Sequence, residues 1–172
     1  MGFLQRLFGT DQRTSMRPLY DAVIAEARRP DWFRDGGVPD TLDGRFDMVA
    51  MVMALVLDRL HEAGDAARAQ SVALTEVFVH DMDGQLREAG IGDFVVGKHV
   101  GKMMGALGGR LAAYRAGLED GGDLEDALTR NLYRGARPEP ARLAWSAAAL
   151  RELATRIAAT PLDTLLAGRL AA

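Results

Sequence analysis

The chain has 172 residues, 48% hydrophobic and 26% charged, which is one domain's worth with material for a real core and too apolar for a disordered segment. A net charge of −3 gives no overall attraction to nucleic acid or anionic lipid. The absence of cysteine excludes a disulfide framework and a thiolate metal site.

Residues 1–9, MGFLQRLFG, place Phe3, Leu4, Leu7 and Phe8 on one helical side. Residues 1–13 are read as an N-terminal tail, with an amphipathic contact to a membrane surface as the alternative. Gly2 is no acylation signal, because Arg6 stands where that motif calls for Ser or Thr. No cleavable signal is read here either.

The first helix is predicted over residues 14–28, with Met16, Tyr20, Val23, Ile24 and Ala27 inward and Pro30 ending it. Residues 31–41, DWFRDGGVPDT, read as a loop whose Trp32 and Phe33 plug a core edge. The next helix covers residues 42–62, and Phe46, Val49, Val52, Met53, Val56 and Leu60 face in. Its middle, residues 48–57, is apolar nearly all round, so it is expected to be central; it is too short for the roughly 20 residues that span a bilayer.

Gly64 stops that helix, and Asp65 is expected to cap the following one over residues 66–89. Val79, Met82 and Leu86 share one side of it. Gly90 is placed as a left-handed cap and Asp93 as the start of a helix reaching Leu118. Val100, Met103, Met104, Leu107, Leu111, Tyr114 and Leu118 mark that helix's inner side. Gly121 and Gly122 then break the chain, and Asp123 caps a short helix to Tyr133. After the linker GARPEP, Pro140 opens a long helix carrying Leu143, Ala147, Leu150, Ala154 and Ile157. Thr160, Pro161 and Asp163 restart a last short one. No stretch alternates with period two. The expected fold is all-α, a single-domain bundle of about six to seven helices over residues 14–172.

Two features of the hairpin around Gly90 are not explained by burial. Asp81, Asp83, Glu88 and Asp93 precede or enter the turn, and Lys98 and Lys102, the chain's only lysines, follow it one helical turn apart. Lysine near a helix N-terminus opposes the macrodipole by roughly 0.3–1 kcal/mol, so the nearby acids are expected to offset it. Asp83 and Arg87, at i and i+4, read as an ion pair. The second feature is Gly97, Gly101, Gly105 and Gly109, a four-residue spacing that makes a slanted groove. Small residues let another backbone approach closely, either an internal helix or a partner's.

His80-Asp81 in a helical chain invites a metal phosphohydrolase reading, with His61 and Asp123 or Asp126 as further ligands. The third histidine is His99. A two-residue His-Asp pair is weak evidence, and other catalytic signatures are absent: no GxSxG, P-loop or HExxH. No basic-aromatic platform points to RNA, so no direct nucleic-acid contact is expected.

Three segments carry a resemblance: VPDTLDGRFD at 38–47, DMDGQLRE at 81–88 and GIGDFVVGK at 90–98. Together, and in this order, they resemble the ubiquinol–cytochrome c chaperone family, over about residues 20–118, with a generic tail after that. The resemblance implies a helical, non-enzymatic assembly factor without cofactor or metal. Its partner would be newly made cytochrome b, with a small partner protein or the ribosome nearby. Its place would be the cytoplasmic, inner face of a bacterial inner membrane, or the matrix side in organellar relatives. Asp81, Asp83, Arg87, Asp93, Lys98 and Lys102 are the matched residues expected at a partner contact. Asp43, Gly44 and Arg45 are expected to shape the start of their helix, with Arg45 pairing one of the turn's acids. A generic helical scaffold or homodimer joined through the glycine groove remains the alternative.

Overall fold

A computed structural model describes the backbone of residues 3–88 and 93–170, and the side chains among these except 3–12, 86 and 93–100. The described residues form eight α-helices: α1 Phe3–Ala27, α2 Pro30–Arg34, α3 Leu42–Glu62, α4 Arg68–Glu88, α5 Asp93–Leu118, α6 Leu124–Asn131, α7 Pro140–Ala159 and α8 Leu162–Leu166. Two of these are five-residue turns, so the six long ones match the expected all-α bundle.

Helix α3 is the axis of the fold. Thr41 accepts a hydrogen bond from the Gly44 amide at 3.1 Å, a cap that contributes about 1 kcal/mol. Every residue from 47 to 57 is buried, and α1, α4, α5 and α7 pack around it. A side chain on each face of one helix can be buried only if neighbours surround it. Gly44 is fixed by close approach: a Cβ there would stand 2.0 Å from the Pro39 carbonyl oxygen.

Several boundaries differ from the sequence reading. Helix α1 runs unbroken from Phe3 through residue 13 and past Pro18. The proline forfeits one backbone donor, and the backbone of Gly168, just after α8, lies against its carbonyl. The loop after Pro30 begins with a helical turn, α2, which buries Trp32 edge-on against Trp145, ring centroids 5.5 Å apart. Asp65 does not cap: a 3-10 turn, Gly64–Ala67, intervenes before α4, and Asp65 pairs instead with Arg68 at 3.0 Å. Asp123 caps α6 as expected, accepting from the Asp126 amide at 2.9 Å, and Pro140 opens α7.

Candidate functional site

The cluster expected at the α4–α5 hairpin divides by depth. Asp81 turns inward: it accepts from the Tyr20 hydroxyl at 2.7 Å and from Gln85 at 2.9 Å, tying α4 to α1. Burial, reinforced by the Asp81 hydrogen bond, pushes the Tyr20 hydroxyl's pKa well above its ordinary value. One turn further, Asp83 and Arg87 form the expected i,i+4 pair at 2.8 Å. Lys102 is exposed on α5, with no carboxylate partner among the described residues. Gly90 and the side chains of Asp93, Lys98 and His99 lie outside the described residues, as do Leu86, Gly97, Val100 and the four apolar residues of the N-terminal stretch.

Arg45 does not reach the turn's acids. It pairs with Asp40 at 2.7 Å, five residues back, because it leaves the first turn of α3 on the side of the preceding loop.

The glycine row faces outward. A Cβ built at Gly101, Gly105, Gly108 or Gly109 meets nothing within 4 Å, so no internal helix fills a groove there among the described residues. Ala112 and Ala116 continue the exposed strip toward the end of α5. The close internal approach falls at Gly117, whose Cβ position is 3.0 Å from the Leu124 Cα at the start of α6. The opposite side of α5 matches the expected inner face: Leu107 and Tyr114 are buried, and Met103, Met104, Leu111 and Leu118 pack against the core.

The residues of the metal-hydrolase reading are not gathered. Among the described residues no group of three His, Asp or Glu side chains could hold a metal ion. Asp81 is bound to Tyr20, Asp123 caps α6, and Asp126 pairs with Arg130.

A second polar assembly was missed in the sequence. Asp47, fully buried, receives Arg110 of α5 at 2.5 Å and Arg134, beyond α6, at 2.6 Å. Arg134 also reaches Asp43 at 2.7 Å. To do so it adopts φ 53°, a left-handed conformation costing a non-glycine residue about 1–2 kcal/mol, and Gly135 continues the bend at φ 85°. Nearby, the Tyr133 hydroxyl bridges the Gly36 carbonyl at 2.6 Å and Ser146 at 2.7 Å, tying the α2–α3 loop to α7. The available signal was Asp47 itself, a charge at the head of an otherwise apolar run. Its partners lie 63 and 87 residues away in sequence and could not be read from it.

The family model described as ubiquinol-cytochrome C chaperone matches residues 34–172. The part after Leu118, expected to be generic, therefore lies within the match. The chain is similar to the crystal structure of the Cbp3 homolog from Brucella abortus, with TM-score 0.79 and 29% identity over 96% of this chain and 92% of that one. No curated protein matches the sequence. On the extent of the family match, the chain belongs to the ubiquinol–cytochrome c chaperone family.

Proposed function

We propose that this protein is an assembly chaperone for the respiratory ubiquinol–cytochrome c oxidoreductase and that its client is newly made cytochrome b. The family match over residues 34–172 carries the reading. The work asked of such a protein is to hold and shield an apolar polypeptide, which needs a surface and no catalytic group.

The outer face of α5 suits that task. Gly101, Gly105, Gly108 and Gly109 leave the helix bare over two turns, so a client helix can come close, backbone to backbone. Lys102 and the Asp83–Arg87 pair offer charged groups to the client's loops. Asp93, Lys98 and Gly97 belong to the same proposed surface by their place in the sequence. Asp81 serves it indirectly, by fixing α4 against α1 through Tyr20.

No helix among the described residues is long and apolar enough to cross a membrane. Contact with the bilayer would then be peripheral, at the cytoplasmic face of a bacterial inner membrane, with a small partner protein or the ribosome delivering the client. Deleting the gene should lower the assembled oxidoreductase, and affinity purification from native membranes should bring cytochrome b with the protein. Normal levels of the complex in the deletion strain would overturn the assembly role. Normal co-purification of every respiratory subunit except cytochrome b would overturn the client.

A further inference from the structure

A cleft of about 740 Å³ opens where the end of α1, the short helix α2 and the start of α3 meet, lined by Arg28, Pro30, Phe33, Arg34, Asp40 and Arg45. Its three guanidinium groups come from three separate segments, and all three arginines are exposed. They are held in different ways. Arg45 donates from Nε to Asp40 and makes no other side-chain hydrogen bond among the described residues. Arg34 uses Nε and Nη2 on Asp35 and Asp31, leaving Nη1. Arg28 has no carboxylate and no side-chain hydrogen bond among the described residues.

The carboxylates act as orienting groups. Each grips its arginine from one side, which fixes a planar fork of donors and leaves the remaining N–H groups available. The hydrogen bond from Arg45 holds the Asp40 carboxyl below the usual range, and that from Arg34 does the same for Asp35. Both stay ionised at neutral pH, and the arginines stay aimed.

The arrangement of the donors decides which class of acceptor they suit. A carboxylate offers two oxygens in one plane, a match for one guanidinium fork. A tetrahedral phosphoryl group offers terminal oxygens in several directions, a match for donors arriving from three segments. The cleft is larger than a lone phosphate and falls within the roughly 300–1,000 Å³ of small-molecule sites. Half-buried Phe33, with Pro30, gives an apolar wall for the remainder.

We propose that this cleft binds the phosphoryl group of a phosphate ester, with Arg28 as the unpaired clamp, Arg34 and Arg45 as pre-aimed donors, and Phe33 against the ester's carbon skeleton. The same chemistry is presented by a soluble metabolite and by a phospholipid headgroup. The proposal does not depend on the identity of the chaperone's client.

The test uses the full chain at low salt, with glycerol 3-phosphate titrated calorimetrically and phosphatidylglycerol vesicles in a sedimentation assay. At least one probe should bind, and Arg28→Gln and Arg45→Gln should each weaken it about tenfold. Arg151→Gln, an exposed arginine on α7, should leave it unchanged. Binding of the soluble ester alone identifies a metabolite site; vesicle binding lost in the same two variants identifies a headgroup site. Neither probe binding, equal loss in all three variants, or undiminished binding in Arg28→Gln and Arg45→Gln overturns the proposal.

Discussion

The two faces of α5 obey opposite rules. Toward the core, Leu107 and Tyr114 fill space, Gly117 admits α6, and Arg110 answers the buried charge of Asp47. Toward solvent, four glycines stand where a Cβ would touch nothing. Each costs the helix about 1 kcal/mol relative to alanine. The inner face is explained by the fold's own stability. The outer face is bare at a cost to that stability, and the proposed docking of a client helix would give that cost a purpose.

The largest effect that can break this contrast sits on the inner side. Asp47→Ala removes the carboxylate that both Arg110 and Arg134 were brought to meet. Among the described residues Arg110 is then left nearly buried with no counter-charge, and Arg134 holds its left-handed backbone for Asp43 alone. Breaking one partner of a buried pair typically costs about 3–5 kcal/mol. Urea unfolding should show a loss of that size. A loss near that of an exposed pair, well under about 1 kcal/mol, would show that the assembly contributes little to folding.

The boundary between what the sequence made legible and what it did not follows the range of the interactions. The centrality of α3 could be read because burial on all sides leaves an apolar run, and the Asp123 cap because a cap acts within three residues. The Asp47 assembly was invisible because its arginines arrive from α5 and from beyond α6. Gly117 was overlooked for a related reason. Spacing marked the row of Gly101, Gly105 and Gly109 as a packing surface, but spacing carries no information on which face of α5 another element occupies. Asp81 shows the same limit: its neighbours in sequence suggested an exposed acidic turn, and Tyr20, 61 residues earlier, draws it inward.

Tyr20 gives the intermediate effect. Tyr20→Phe removes a hydrogen bond to a carboxylate that Gln85 still partly satisfies, so a loss of about 1.5 kcal/mol is expected by chemical denaturation. A pH experiment probes the same bond. Burial raises the hydroxyl pKa of Tyr20, Tyr114 and Tyr133, which are all the tyrosines of the chain. Above pH about 10 the unfolded chain releases phenolic protons that the folded chain keeps. The unfolded state then binds fewer protons, so the stability these groups contribute is intact below that pH and falls as pH rises beyond it. Tyrosinate absorbance should appear together with loss of helical circular dichroism. Tyrosinate forming in a fully helical protein would show these hydroxyls to be open to solvent.

The smallest effect is the sharpest test of the outer face, because its sign reverses the usual outcome of mutation. Gly101→Ala and Gly105→Ala each place a methyl group where nothing stands within 4 Å. The helix gains intrinsic propensity and loses no contact, so each should stabilise the protein by about 0.5–1 kcal/mol in a thermal melt. Gly105→Leu should also spare stability, since the longer side chain projects from an exposed position. It should nevertheless reduce recovery of cytochrome b in a pull-down, because a branched side chain holds an approaching helix away. Stability falling in both Gly105 variants would mean that the strip is covered within the folded chain. Unchanged client recovery in Gly105→Leu would move the docking surface elsewhere on the molecule, leaving the bare strip as a cost without the purpose assigned to it.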